Sequence, residues 1–316
     1  MGRPNVATSG YGKRTGPGRV RAAFSLVRAA ALSTPEIVED LPVTHPCPND
    51  PACPYCNGTI APESRLDWSF LDAVYCISLK TRDDRAALVA EQFHTSGLCQ
   101  KVIFYRPTRH PKKGIIGSWE SHRAVCADAA QRGCETTLIC EDDVLFVRKL
   151  TPDSVRRIGI AIRELPANWS IFYLGHWPVW SYFIKTNVLR TMSACAHAYV
   201  ASPRLLDWMK HHPYGAPGIA FYRPVGRALD SAFSQLPGTY ALFPMIAIQS
   251  ISKSDNFNYK PKPKTKLKHY ITRSRYREFL LSNLMRPAEA IIVAMSPITW
   301  VTQTYKDWKA RRAQSV

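Results

Sequence analysis

Leu138-Ile-Cys-Glu-Asp-Asp-Val-Leu-Phe146 sets a short apolar run directly against three consecutive acids. The run reads as a buried strand, rich in residues that fit a pleated surface. Carboxylates side by side repel one another, so a strand ending in three of them is costly unless a cation or hydrogen bonds offset the repulsion. If the strand continues through the acids, Glu141 and Asp143 share one face and Asp142 takes the other. Paired hard oxygen ligands at the carboxyl end of a strand suit Mn²⁺ or Mg²⁺. The alternative is an exposed acidic turn, or a cap for the next segment.

The pattern around this run repeats strand and helix in turn. Strands are predicted over 74–79, 101–105, 136–139, 170–174 and 193–201, with a last one over 240–248, broken or bent at Pro244. Helices are predicted over 83–97 with a glycine stop, 117–133, 152–165 with proline in the first turn, 203–211 and 228–235. A Pro- and Gly-rich loop spans 212–226. Alternation of this kind predicts an α/β domain around a largely parallel sheet, with ligands bound beyond the carboxyl ends of the strands. No G-x-G-x-x-G follows the first strand and no G-x-x-x-x-G-K-[ST] occurs, so dinucleotide and P-loop fingerprints are absent.

The chain has 316 residues, 46% hydrophobic and 21% charged, which suits a globular protein of one large domain or two small ones. Its net charge of +18 is concentrated at the ends. Residues 1–35 hold six basic and no acidic residues, and residues 252–316 hold fourteen basic and four acidic. The predicted organisation is a basic, poorly ordered, cysteine-containing leader over 1–66, a body over 67–256, and a basic arm with a helical segment over 257–316. In the leader, 24–32 reads as one short helix. In the arm, lysines alternate from Lys260 to Lys268 around Pro261 and Pro263, which favours an extended chain, and 276–284 reads as helical. The apolar stretch 288–295 ahead of Trp300 either lies on a membrane surface or packs on the body. Basic ends suit an anionic partner such as a membrane surface, or serve as solvated tails. No uninterrupted apolar run is long enough to span a bilayer.

Nine cysteines in a chain this long do not form a disulfide framework, and Cys76, Cys126, Cys140 and Cys195 sit within apolar runs. The odd count and the lack of a signal-peptide core point to a reducing compartment, cytoplasmic or peripheral to a membrane. The acid-free, Arg-rich start also has transit-peptide composition. Gly2 lacks the Ser or Thr at position 6 that myristoylation needs. His45, Cys47, Cys53 and Cys56 either bind zinc or form a loop with inert thiols or a local disulfide.

Residues 138–146 resemble the "LEDDV" segment of glycosyltransferase family 25, which contains lipooligosaccharide and collagen β-galactosyltransferases. Other segments are similar in the same order. Ile77-Ser-Leu79 with Arg82 and Arg85 resembles "INL…R..R", Ser78 standing for the usual Asn. Gly117-Ser-Trp-Glu-Ser121-His122 resembles "G…SH", and Phe172-Tyr-Leu-Gly175 resembles "YLG". His197-Ala-Tyr199 with Ser202 resembles "aYliS", although Pro203-Arg204 replaces a small-residue turn. Leu229-Asp230 resembles "vD", and 244–249 followed by Ser254-Asp255 resembles "P…Q…SD".

The resemblance covers about residues 70–256 and implies a GT-A fold, a UDP-sugar donor, a glycan or protein hydroxyl as acceptor, and inversion by one in-line displacement. On that pattern Glu141 and Asp143, with Asp142 beside them, hold the cation. Ser78, Arg82, Arg85, Ser121 and His122 contact the donor. Asp230 takes the acceptor proton, Glu120 being the second candidate. His197 and Gln249 contact phosphate or acceptor, and Trp177, Trp180 and Tyr182, read as a loop, stack on an acceptor sugar. Each residue also has a structural reading: Arg82 and Arg85 as surface cations at a helix start, Asp230 as a helix-start residue, His122 and His197 as core histidines, the aromatics as core. Two other functions compete. A nucleic-acid-binding protein or metal-dependent nuclease would use the basic ends and the acids, but the near-neutral body argues against it. A degenerate transferase fold would serve as a scaffold.

Overall fold

A computed structural model describes residues 44–146, 150–222 and 226–250, with Ala290, Ile291 and Ala294. The readings made for residues 1–43, for Ser254-Asp255 and for nearly all of 257–316 lie outside the described residues.

The chain folds as a mixed α/β structure. Nine strands are described: β1 (Thr44–Pro46), β2 (Ala73–Ile77), β3 (Val102–Tyr105), β4 (Thr137–Glu141), β5 (Val144–Phe146), β6 (Ile171–Lys185), β7 (Val188–Ala201), β8 (Thr239–Leu242) and β9 (Ala247–Gln249). The helices are α1 (Asp83–Ser96), α2 (Gly114–Gln131), α3 (Pro152–Arg163), α4 (Pro203–His211) and α5 (Leu229–Phe233). Seven strands form one sheet in the order β1-β3-β2-β4-β7-β6-β8, and β5 pairs with β9 in a separate ribbon.

The sheet is mixed, not largely parallel. Only β2 with β3, β2 with β4, and β6 with β8 run parallel; the other pairings are antiparallel. The cause is one long hairpin. β6 and β7 extend over fifteen and fourteen residues and are joined by a turn at Thr186-Asn187. Its distal half was expected to be a loop carrying Trp177, Trp180 and Tyr182. Register shifts beside Gly175, Trp177 and Trp180 break the period-two alternation there, so the stretch lacks a strand's pattern while keeping its hydrogen bonds.

Strand alternation puts two cores on opposite faces of the sheet. Val74, Cys76, Leu138, Cys140, Phe172 and Val200 meet Val89 and Phe93 of α1 and Ile158 of α3. Tyr75, Ile139, Tyr173 and Tyr199 meet Trp119 and Val125 of α2, Met209 of α4 and Phe233 of α5. Local signals set the helix ends. Thr151 and Ser154 form a capping box before α3, with Pro152 at the first turn. Gly97 closes α1 in the left-handed region at φ 70°.

Residues 44–66 belong to the body and are not a loose leader: β1 pairs with the sheet edge at β3, and Cys47, Cys53 and Leu66 are buried. No described helix is long and apolar enough to cross a membrane.

Gly175 lets β9 cross the sheet. A Cβ there would collide with the Ala247 carbonyl oxygen and stand 2.5 Å from His197 Nε2. Gly175→Ala should therefore destabilise the fold by about 1–3 kcal/mol. Chemical denaturation checks this, and a wild-type midpoint would contradict it.

Candidate functional site

The cleft lies at the carboxyl ends of β2 and β4, the parallel centre of one half of the sheet. β4 stops at Glu141, and Asp142 and Asp143 make the turn into β5. The Asp142 N–H donates to the Ile77 carbonyl at 3.0 Å. The strand thus does not continue through the acids, and they do not alternate across two faces. All three line one cleft, together with Arg85 from the first turn of α1 and His122 from α2.

Each acid has a different environment. Asp142 is locked: its Oδ2 accepts from Ser78 Oγ at 2.9 Å and its Oδ1 from Arg85 Nη1 at 2.8 Å. Burial raises its pKa against the pull of Arg85 and Ser78. Glu141 accepts from His122 Nε2 at 3.1 Å, and His122 Nδ1 meets the Tyr199 hydroxyl at 2.8 Å. With Nε2 donating, a neutral ring accepts the tyrosine proton at Nδ1. Burial pushes the Glu141 carboxyl up, but His122, His197 and Arg85 together outweigh it and leave it below its ordinary value.

Asp143 is the least satisfied of the three. Its Oδ2 accepts from Gln249 Nε2 at 3.0 Å and lies 3.8 Å from Arg85 Nη1. Its Oδ1 is buried with no hydrogen-bond partner among the described residues. Burial first, then the charge of Glu141, push its pKa up to about 8, with Arg85 opposing. A buried carboxylate oxygen left unpaired is costly and is where a cation would relieve the site.

Seven of the sequence-predicted residues meet here: Glu141, Asp142, Asp143, Arg85, Ser121, His122 and Gln249 line the cleft. Ser78 joins through Asp142, and Ser121 Oγ donates back to the Gly117 carbonyl at 2.7 Å. The rest stand outside it. Arg82 pairs with Asp84 at 2.9 Å at the start of α1. Glu120 joins α2 to the loop after α4, accepting from Arg123 at 3.0 Å and from the Tyr214 N–H at 2.8 Å. His197 is buried on β7 without a hydrogen-bond partner of ordinary geometry among the described residues, and burial brings its pKa down to about 4, against the charge of Glu141. Trp177 is 55% exposed on the hairpin. Asp230 accepts the N–H of Cys195 at 3.1 Å and of Ser231 at 2.9 Å. Cys195 in turn reaches Gln249 Oε1 at 3.8 Å, so a chain of contacts links Asp230 to Asp143. Cys195 holds a left-handed backbone, φ 74°, which a non-glycine residue adopts only at a cost.

Sequence reading missed Arg109 and His110, which enter the cleft from the loop between β3 and α2. The signal was present: Arg109-His-Pro-Lys-Lys113 follows β3 much as the acids follow β4. Gly117 permits the approach, since a Cβ there would stand 2.9 Å from His110 Cβ.

No family model and no curated protein matches the chain. The likeness to glycosyltransferase family 25 therefore rests on the short segments alone. Solved structures give distant neighbours. A197 from STIV is 12% identical with a TM-score of 0.32, over 54% of this chain and 81% of its own. A glycosyltransferase involved in the glycosylation of the major capsid of PBCV-1 is 13% identical with a TM-score of 0.34, over 58% of this chain and 95% of its own. Both are too remote to assign a role to any residue of the cleft.

Because the folded pKa of Asp143 lies above its ordinary 3.8, its contribution to stability is complete below that value and is lost as pH rises towards about 8. Asp143→Asn should raise the melting temperature, by an amount that grows from pH 5 to pH 8 and corresponds to roughly 1–3 kcal/mol at the upper end. A melting series across that range checks it; a loss of stability that is the same at every pH would contradict it.

Proposed function

We propose that the chain is a glycosyltransferase that moves a hexose from a nucleotide-sugar to an acceptor hydroxyl, with a divalent cation held at the cleft. The unpaired, buried Asp143 Oδ1 beside Glu141 carries this reading. The donor set fits the group: carboxylate oxygens are hard ligands, suited to Mn²⁺ or Mg²⁺. Bound there, such an ion would neutralise charge developing on the departing diphosphate.

The protein's own residues account for the rest. Arg85 fixes Asp142 and keeps the acidic turn in place, with Asp143 and Glu141 lining the same cleft. Arg109 and His110, which also line the cleft, would supply donors for phosphate oxygens. His122 orients Glu141 through its bond to Tyr199. Asp230 is the proposed base: both its oxygens are steadied by backbone N–H groups, and each keeps a lone pair for the acceptor proton. The exposed face of Trp177 suits a sugar ring. The family resemblance adds the finer terms, UDP-galactose as donor and inversion at the anomeric carbon, with a glycan or a protein hydroxyl as acceptor. The basic ends add a peripheral contact with anionic membrane, and nucleic acid is not expected as a ligand.

Calorimetry with UDP tests this. Binding should require Mn²⁺ and should weaken at least about tenfold in Asp143→Ala, while the folded far-ultraviolet spectrum persists. Turnover of a UDP-hexose should fall by about a hundredfold or more in Asp230→Asn. Absence of UDP binding with and without Mn²⁺ would contradict the reading.

A further inference from the structure

A second cluster, on the far end of α1 from the cleft, has metal-site chemistry of another kind. Cys53 and Cys56 sit on a tight knuckle in which the N–H groups of Cys56 and Asn57 both donate to the Cys53 carbonyl at 3.0 Å. His94 lies in the last turn of α1, and Cys99 follows the left-handed Gly97 that ends it. Cys53 and Cys99 are buried.

One ligand atom from each of these four residues lies within 4.8 Å of all the others. Cys53 Sγ is 3.9 Å and Cys56 Sγ 3.7 Å from Cys99 Sγ, and Cys56 Sγ is 3.4 Å from His94 Nδ1. A tetrahedron with Zn–S of about 2.3 Å and Zn–N of about 2.0 Å has edges near 3.8 Å between sulfurs and near 3.5 Å from sulfur to nitrogen. These three edges match, and the other pairs stay within 4.8 Å. They are far beyond the roughly 2.05 Å of a disulfide. Three thiols and an imidazole select zinc over the hard cations proposed for the cleft.

We infer that Cys53, Cys56, His94 Nδ1 and Cys99 form a closed structural Zn²⁺ site. The other ring nitrogen, His94 Nε2, faces Cys47 Sγ at 4.0 Å, a contact that leaves Nδ1 for the metal. The set differs from the one read along the sequence. His45 lies exposed on β1, outside the cluster, and Cys47 stands behind the histidine. The site ties residues 44–66 to the helix that delivers Arg85 to the cleft. Tyr55, on the same knuckle, packs where a Cβ on Gly97 would stand, 2.7 Å from its ring.

Metal analysis of the full chain, purified without chelator, tests the site. One zinc per chain is expected, with intense visible bands of a tetrahedral thiolate complex on exchange for Co²⁺. Cys56→Ser with Cys99→Ser should lower zinc content by about tenfold or more, whereas His45→Ala and Cys134→Ser should retain it. Folded wild-type protein that carries no zinc and takes up none from buffer would overturn the proposal, as would mass-spectrometric detection of a disulfide among these cysteines in freshly purified protein. Because wild-type metal content is itself a readout, the outcome does not depend on whether a variant folds. UDP binding at the cleft is measured separately, so failure of one site does not mimic failure of the other.

Discussion

Two of three neighbouring acids close on the Arg85 guanidinium at the end of β4, and the site depends on how their charge is shared out. Arg85 spans Asp142 at 2.8 Å and Asp143 at 3.8 Å, while Glu141 turns to His122. Among the described residues, the buried Arg85 guanidinium pairs with two of the three acids. Ser78 and Gln249 supply neutral donors to two of them, and one oxygen of Asp143 is left over. Stability alone would favour removing that excess charge, because an unsatisfied buried carboxylate costs free energy and contributes nothing to packing. Its retention is explained if a ligand completes it.

The fold places this unpaired oxygen in the wall of the cleft. Parallel pairing of β2 with β3 and β4 brings three carboxyl ends to one rim, and α1 and α2 return from that rim with Arg85 and His122. The long β6–β7 hairpin then turns the sheet antiparallel, and β9 crosses over Gly175 to deliver Gln249. α1 connects the two chemistries of the molecule: its first turn supplies Arg85 to the oxygen-lined cleft, and its last turn supplies His94 to the thiol cluster. Hard ligands at one end and soft ligands at the other would separate the two proposed cations by chemical type.

Much of this was legible from residue pattern. Apolar runs bounded by turn residues located β2, β3 and β4, and Pro203 marked the first residue of α4. The acids stood out from the residues themselves; Arg85, Ser121, His122 and Gln249 entered through the family resemblance, and all of them line the cleft. Three things were not. The direction of β7 depends on a hairpin whose bulges hide its alternation, so the sheet was read as largely parallel. Arg109 and His110 lie in a basic loop whose neighbours in space are far away in sequence. His94 and Cys99 are more than thirty residues from Cys53 and Cys56, and only the docking of the knuckle on Gly97 brings them together; spacing along the chain therefore pointed to His45 and Cys47 instead.

Anomalous scattering from crystals soaked in Mn²⁺ and UDP measures the central claim most directly. The account predicts one manganese peak at coordination distance from Asp143 Oδ1, with Glu141 beside it and Asp142 still bound to Arg85. A cleft without manganese, with the nucleotide bound elsewhere on the surface, would contradict it.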